Sequence, residues 1–290
     1  MAVSRNPLLP AGLSFGQVYT VEAFLGAGAY GEVYRVTHRY LGTQAIKVFP
    51  PDTLEPQRDF FQEARVLVML THPNIVRVFD ANIAETPRGA VTYLAMEYIE
   101  GETLGGLLQR RVRLPLQEAT RLGLDLCGGL AQAHSLEPPL LHLDLTVNNV
   151  MVATLRGQAH AKITDFGIAA QVHPVTRMAR ARGEYYFMAP EMFWGYATTA
   201  SDVYSLGFLL YWLYAGVPPY PRPVLPESST QEQWVASIQR SRSQPPPPLG
   251  RFRMDIPEKT AATVLKALAP VPGDRFPDAA ALQAALTTPS

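Results

Sequence analysis

The chain has 290 residues, enough for one large domain or two lobes. Lysine plus arginine total 25 and aspartate plus glutamate total 25, so the formal net charge is zero, which gives no support for a nucleic-acid partner or an anionic membrane surface. Cys127 is the only cysteine, which excludes an intrachain disulfide and predicts a small core residue in a reducing, cytoplasmic location.

The N-terminal third is predicted to consist mainly of short strands. Segments rich in β-branched and aromatic residues occur at 17–25, 32–38, 43–49, 75–81 and 91–96. One helix is predicted over 57–70, because apolar residues recur there at a spacing of three to four.

After residue 102 the pattern changes to helices. They are predicted at 115–134, 203–217, 231–240, 257–269 and 276–286. The apolar run 203–217 is too short to cross a bilayer, which predicts a buried core helix and no direct membrane insertion. The proline run 244–250 is compatible with a polyproline ligand, although a rigid connection between two helices is favoured.

A β-rich lobe followed by an α-rich lobe predicts an α+β fold with two lobes. The expected divisions are an N-terminal extension at 1–15, a small lobe at 16–97, a hinge at 98–101 and a large lobe at 102–288.

The stretch GAGAYGEV, residues 26–33, places three glycines between two predicted strands. Glycines there allow the backbone to approach a phosphate closely, although an ordinary hairpin turn also fits. A dinucleotide-binding fold would need a helix directly after the glycines. Residues 32–38 predict a strand instead, on which Val33 would cover a base.

Lys47 lies in the apolar strand 45–49, on the face that it shares with Ala45 and Phe49. That face is usually buried, so the ammonium group needs an anion, and Glu63 on the predicted helix is the candidate partner. The alternative is an edge-strand lysine whose amine reaches solvent.

Two further stretches carry carboxylates. HLDLTVNN, residues 142–149, offers Asp144 as a base or hydroxyl-orienting group and Asn149 as an oxygen ligand. KITDFG, residues 162–167, places Asp165 at a strand end, where a carboxylate is well positioned for a divalent ion and a plain turn is the alternative.

The order of these motifs, completed by MAPE at 188–191, resembles the signature set of protein kinases. The stretches 72–80, 201–207 and 273–282 are similar to those of eukaryotic-like serine/threonine kinases of bacteria, and the resemblance covers roughly residues 18–286. It implies ATP- and Mg²⁺-dependent phosphoryl transfer to serine or threonine hydroxyls of protein substrates, the chain itself included, with Mn²⁺ as an alternative metal. A homodimer is left open.

The resemblance also assigns residues to roles. The catalytic set is Asp144, Lys47, Glu63, Asn149 and Asp165, with Asn149 and Asp165 as metal ligands. The expected nucleotide contacts are Leu25, Gly26, Ala27, Gly28, Ala29, Tyr30, Gly31, Val33, Ala45, Lys47, Met96, Glu97, Ile99, Glu102 and Met151. A stacked spine is expected from Leu67, Val78, His142 and Phe166. Glu191 should pair with Arg275, and Asp202 should brace the catalytic loop.

Three positions depart from the family pattern. Leu143 replaces an arginine that often reads an activation-segment phosphate, Thr146 replaces a lysine at the transferred phosphate, and Glu184 stands in place of a threonine. The last two positions lie near the same carboxylate in the family. An active but slow kinase that does not depend on phosphate readout by that arginine is favoured. A pseudokinase scaffold or nucleotide-binding module is the alternative, followed by a small-molecule phosphotransferase of the aminoglycoside type.

Overall fold

The computed structural model describes residues 7–28, 31–49, 57–166, 184–226 and 228–288, with only the backbone described at 57–59, 63, 184 and 231. The chain divides into two compact units. The small unit comprises residues 1–71 and 76–99, and the large unit comprises residues 72–75 and 100–290. The first is built around a sheet and the second around helices, which confirms the α+β class.

The small unit contains a six-stranded antiparallel sheet in the order β1-β2-β3-β4-β6-β5. Its strands are β1 (Ser14–Phe15), β2 (Tyr19–Gly28), β3 (Gly31–His38), β4 (Gly42–Phe49), β5 (Val78–Thr86) and β6 (Gly89–Glu97). Among the described residues of this unit there is one helix, α1 (Gln57–Met69), which packs against β5. Both faces of β4 are covered, because its last six side chains are all buried.

The described part of the predicted extension packs into the small unit. Leu9 and Phe15 are each 1% exposed and belong to the apolar core of the sheet. The Leu8 N–H donates to the Glu32 carboxylate at 2.8 Å, and the Leu9 N–H donates to the Tyr34 hydroxyl at 3.1 Å. Burial and the Glu32 carboxylate together raise the pKa of Tyr34. The segment before β1 is therefore tied to β3 by backbone hydrogen bonds as well as by apolar contact.

The large unit combines a small antiparallel sheet with six helices among its described residues. The sheet has the order β7-β8-β9, with β7 (Gly101–Thr103), β8 (Val150–Leu155) and β9 (Gln158–Ile163). The helices are α2 (Leu104–Arg110), α3 (Leu116–His134), α4 (Thr199–Ala215), α5 (Gln231–Ser241), α6 (Glu258–Ala267) and α7 (Ala279–Thr287).

Helix α4 lies at the centre of the large unit. Nearly all of its side chains are buried, and it packs against α3, α6 and α7. This confirms the core helix predicted from the apolar run. Across the described ranges, no helix combines the length and hydropathy that a membrane crossing requires.

Glycines in α3 and α4 let neighbouring segments approach these helices closely. A Cβ at Gly129 of α3 would meet the backbone oxygen of Asn74 at 2.8 Å, and one at Gly207 of α4 would meet the Cβ of Ala267 at 2.8 Å. Cys127, also on α3, is completely buried, and burial raises the pKa of its thiol to about 12. It is a core residue, as predicted.

The proline run 244–250 connects α5 to α6. The Tyr211 hydroxyl donates to the Pro247 carbonyl at 2.8 Å, and Leu249 is fully buried. These anchors favour the rigid connection over a free polyproline ligand.

Candidate active site

The glycine-rich hairpin joins β2 to β3, with Gly28 paired to Gly31. A Cβ at Gly31 would lie 2.2 Å from the Val48 carbonyl oxygen, so only glycine fits that strand position. By contrast, a Cβ at Gly26 or Gly28 would meet no atom of the described residues within 4 Å. Gly31 is therefore required by the sheet itself, while the other two leave open space at the backbone. Ala29 and Tyr30 lie outside the described residues, and Leu25 and Ala27 precede them on β2.

An apolar cluster forms the wall on which an adenine base is expected. Ala45 and Met96 are paired across β4 and β6, and both are buried together with Val76. Val33 and Ile99 pack against this cluster. The five residues thus form one contiguous apolar cluster of the small unit, which has the chemistry that an adenine base requires.

The residue after Met96 has a backbone N–H that is already hydrogen-bonded. The Glu97 N–H donates to the Arg77 carbonyl at 2.8 Å. The expected adenine contact of Glu97 therefore concerns its carbonyl oxygen.

Lys47 is only 5% exposed, although it carries a charge. Its ammonium nitrogen lies 5.8 Å from the centroid of the Phe49 ring, and its strand neighbours across β3 and β6 are Val33 and Leu94. The structure thus confirms that this lysine faces inward. The side chain of Glu63, its expected partner, lies outside what the structure describes.

Asp202 braces the catalytic loop from α4. Its carboxylate is fully buried and accepts the backbone N–H groups of His142 and Leu143, each at 2.7 Å. His134 at the end of α3 approaches the same carboxylate at 3.1 Å through Nε2. The predicted role of Asp202 is confirmed, while the contribution of His134 was not anticipated.

Both histidines around this carboxylate have a defined tautomer. The Nδ1 of His134 accepts the Ala279 N–H at 3.3 Å, and the Nδ1 of His142 accepts the Asp144 N–H at 3.2 Å. Each Nε2 must therefore carry the hydrogen. His142 donates it to the Thr164 carbonyl at 2.9 Å, directly before Asp165.

The two spine residues of the large unit are in contact. The rings of His142 and Phe166 have centroids 4.7 Å apart, as predicted. Leu67 and Val78, the other two members, are buried in the small unit.

Asp144 and Asn149 are joined directly. The Nδ2 of Asn149 donates to the backbone carbonyl of Asp144 at 2.8 Å and to its Oδ2 at 3.0 Å. The Asn149 carbonyl in turn accepts the Thr164 N–H at 3.0 Å, which places the backbone before Asp165 beside the loop. Asp165 itself has a positive φ of 61°, unusual for a residue other than glycine.

The donor chemistry of this corner fits a hard divalent cation. With Nδ2 of Asn149 turned toward Asp144, its side-chain oxygen Oδ1 is the atom left for a metal, and Asp165 supplies a carboxylate. Oxygen ligands of these two kinds are those that Mg²⁺ prefers. Within the described ranges, no group of three or more His, Cys, Asp or Glu side chains is arranged to hold a metal ion.

Thr146 is buried inside the loop. Its Oγ1 accepts the Asn148 N–H at 3.2 Å, which closes a local turn before Asn149. The side chain therefore shapes the loop and brings no positive charge to it. The side chain of Glu184, expected near the same carboxylate, lies outside the description.

Two remaining nucleotide candidates lie on the small sheet of the large unit. Met151 of β8 is half-buried and pairs with Thr103 of β7. Glu102 forms an ion pair with Arg110 of α2. Its carboxylate therefore already has a cationic neighbour.

Glu191 and Arg275 form the predicted buried pair. The guanidinium binds both carboxylate oxygens, at 2.7 and 2.8 Å, and the Ser201 hydroxyl donates to Glu191 at 2.7 Å. Burial alone would raise the pKa of Glu191, but the hydrogen bonds from Arg275 and Ser201 outweigh it and hold this pKa below the ordinary value of 4.5. Ser201 was not anticipated, because only the fold brings it next to Glu191.

Comparisons with known proteins agree with this arrangement. The family model described as the protein kinase domain matches residues 19–283. Serine/threonine-protein kinase PknB of Mycolicibacterium smegmatis is 32% identical over 279 residues, which cover 92% of this chain and 42% of that protein. Serine/threonine-protein kinase PknA of Mycobacterium tuberculosis is 32% identical over 246 residues, covering 82% of this chain and 54% of that protein.

The chain thus spans about half, or less, of the length of these relatives. Among solved structures, the PknI kinase domain of Mycobacterium tuberculosis matches with a TM-score of 0.70 and 30% identity, covering 96% of this chain and 98% of that one. The family match over nearly all of the chain and the braced catalytic loop lead to one conclusion: this chain belongs to the protein kinase family.

Proposed function

We propose that the chain transfers the γ-phosphoryl group of ATP to serine or threonine hydroxyls of proteins, itself included, with Mg²⁺ as the metal. The observation that carries this proposal is the catalytic loop, in which Asn149 holds Asp144 and Asp202 fixes the backbone before it. The similarity to bacterial serine/threonine-protein kinases supports the same reaction.

Each catalytic residue has a distinct task in this proposal. Asp144 would accept or orient the proton of the attacking hydroxyl, a role worth roughly 10²–10⁴ in rate. Lys47 would hold the α- and β-phosphates, with Glu63 as its ion-pair partner. Asn149, through its side-chain oxygen Oδ1, and Asp165 would hold Mg²⁺, which when bound neutralises phosphate charge.

The small unit would supply a set of contacts to the nucleotide. Met96, Val33 and Ala45 offer apolar contact to adenine, and Glu97 and Ile99 offer backbone groups. The glycine-rich hairpin would cover the phosphates.

The loop also suggests how fast this enzyme is and how it is controlled. Thr146 supplies a neutral hydroxyl where a lysine would supply charge, which costs rate without removing Asp144. Leu143 has no guanidinium to read a phosphate, so activation would not depend on that contact. The same two residues favour a catalytically silent nucleotide-binding scaffold as the second candidate. A cytoplasmic location and the oligomeric state stay predictions.

Two substitutions test the proposal against the scaffold. Lys47→Met keeps most of the buried length but removes the charge, and Asp144→Asn removes the carboxylate alone. We expect purified wild-type protein with saturating Mg-ATP to phosphorylate itself and a generic basic protein. Both variants should lose this transfer, and Asp144→Asn should keep its affinity for ATP. Circular dichroism and thermal unfolding would establish that the variants fold.

Lys259→Met is the matched control, because Lys259 is exposed on α6 and should leave transfer unchanged. Wild-type rates in well-folded Lys47→Met would refute the assignment. An equal background in wild type and Asp144→Asn would establish the scaffold instead. Transfer to an aminoglycoside but to no protein would identify a small-molecule phosphotransferase.

A further inference from the structure

Four consecutive carbonyls, the last of which belongs to the first residue of the MAPE motif, each accept a side-chain hydrogen bond. The residues are Tyr185, Tyr186, Phe187 and Met188. Their backbone forms the end of a short 3₁₀ helix, Glu184–Tyr186, and the turn that follows it. Backbone in such a turn has few partners of its own, so side chains must hold it in place.

Arg242 supplies most of these hydrogen bonds. Its Nη2 donates to the Tyr186 carbonyl at 2.6 Å and to the Tyr185 carbonyl at 3.3 Å, and its Nη1 donates to the Met188 carbonyl. Ser205 of α4 donates to the remaining carbonyl, that of Phe187, at 2.9 Å. One guanidinium thus holds three backbone oxygens that lie 54 to 57 residues away in the chain.

The guanidinium lies among aromatic rings. Its central carbon is 5.3 Å from the Tyr204 ring centroid, 5.9 Å from that of Tyr220 and 6.0 Å from that of Phe193. Although the residue is half-buried as a whole, its Nε is enclosed and has no hydrogen-bond partner among the described residues. Burial also lowers the pKa of this guanidinium, so the charge is held where desolvation opposes it.

The backbone that Arg242 holds lies between two glutamates, Glu184 and Glu191. It directly follows Glu184, which the family resemblance places near the catalytic carboxylate, and it ends three residues before Glu191. Glu191 is fixed separately by Arg275. Arg242 therefore holds the backbone that connects Glu184 to Glu191, the carboxylate that Arg275 fixes.

We propose that Arg242 is a positioning residue that fixes residues 185–188 in the form that accepts the protein substrate. It acts from the position directly after α5 and needs no phosphate on the activation segment. This role rests on the proposed protein kinase activity and extends it. It would give a chain with Leu143 in its catalytic loop a built-in cation for ordering the segment.

The test compares Arg242→Gln and Arg242→Lys with a matched control. Arg240→Gln removes an exposed arginine from the last turn of α5, two residues before Arg242, and should change nothing. Amide hydrogen exchange without nucleotide is the first readout, and we expect faster exchange at residues 185–189 in both Arg242 variants. Lysine should recover only part of the protection, since its ammonium cannot reproduce the planar fork that reaches three carbonyls.

Steady-state kinetics provide the second readout. We expect Arg242→Gln to lower kcat/KM for a protein substrate by about 10²-fold, the size of effect that displacing a positioned group can have. The KM for ATP should change by less than about threefold, since the nucleotide contacts are elsewhere. If Arg242 had a purely structural role, its loss would affect the kinetic constants for ATP and for the protein substrate to a similar extent.

Two outcomes would overturn the proposal. One is wild-type exchange and kinetics in Arg242→Gln. The other is an equal loss toward ATP and protein substrate, together with a lower thermal midpoint, in both variants. If the wild-type protein transfers no phosphate at all, the proposed function fails and the catalytic part of this role fails with it. Exchange at 185–189 would then still decide whether Arg242 holds the segment.

Discussion

Asp202 accepts the backbone N–H of Leu143 at 2.7 Å, while Leu143 itself adopts a left-handed conformation with φ of 59°. A residue with a Cβ pays roughly 1–2 kcal/mol for that conformation. The carboxylate of Asp202 therefore stabilises a strained turn, and Asp144 is the next residue along it.

Asp202→Asn should destabilise the protein and slow it. An asparagine offers one oxygen to three donors, and its amide hydrogens would face at least one of them. Leaving a buried donor unsatisfied costs about 1–3 kcal/mol. Urea unfolding would measure the loss, with Asp274→Asn as the exposed control. A free energy of unfolding equal to that of the wild type would show that the brace is dispensable.

The pair between Glu191 and Arg275 should make stability depend on acid pH. Because the folded-state pKa of Glu191 lies below its ordinary value of 4.5, its contribution is complete above about that pH and is lost as the pH falls through the folded-state pKa. Glu191→Gln cannot ionise. It should cost about 1.5–3 kcal/mol at pH 7, the value of a hydrogen bond to a charged group.

The difference in unfolding free energy between wild type and Glu191→Gln should then shrink steadily below pH 4.5. Denaturation at a series of pH values measures it, and other titrating groups cancel in the comparison. A difference independent of pH would mean that the carboxylate charge contributes nothing.

Thr146→Lys should leave transfer intact or raise it. One positive charge at the moving phosphoryl group is worth up to about 10²–10³ in rate. Thr146→Met is the matched control, because it has a similar reach without charge and loses the same hydrogen bond from Asn148. Initial rates at saturating Mg-ATP compare the two. Equal rates in both variants would show that charge at this position is irrelevant.

Activity should depend little on phosphate at Thr176, which lies outside the described residues. Since Leu143 cannot bind that phosphate, phosphatase treatment or Thr176→Ala should change the rate by less than about tenfold, against the 10³–10⁵ that a critical charge can supply. Mass spectrometry would confirm the phosphorylation state. Leu143→Arg supplies the guanidinium that could bind this phosphate, and it should make the rate depend more strongly on phosphorylation of Thr176. A thousandfold loss of rate on phosphatase treatment or Thr176→Ala, in the protein that keeps Leu143, would mean that another basic residue binds the phosphate.

Elements with strong periodicity were predictable from the sequence. The strand expected at 43–49 is Gly42–Phe49, and the helix expected at 115–134 is Leu116–His134. The hairpin of β8 and β9 was mostly missed. Arg156 and Gly157 both have positive φ at its turn, and Arg-Gly is not one of the residue pairs that mark such a turn in a sequence.

The contacts of the site also divide into those that the sequence predicts and those that it does not. Motif order was enough to predict the contacts of Asp202 and the pair of Glu191 with Arg275, because each of these residues lies in a recognisable stretch. Arg242 and His134 lie in no motif, and their partners are more than 50 residues away. Only tertiary packing creates those contacts, and local sequence carries no sign of it.

The glycines of α3 have a consequence for the order in which the protein folds. This helix contains Gly123, Gly128 and Gly129, and each glycine costs a helix roughly 1 kcal/mol relative to alanine. A peptide with the sequence of α3 should therefore be largely unstructured in water. Because Gly129 leaves room for the Asn74 carbonyl, the helix gains its stability from neighbours that approach closely. We expect α3 to become helical as those neighbours dock, so that the centre of the large unit forms in one cooperative step.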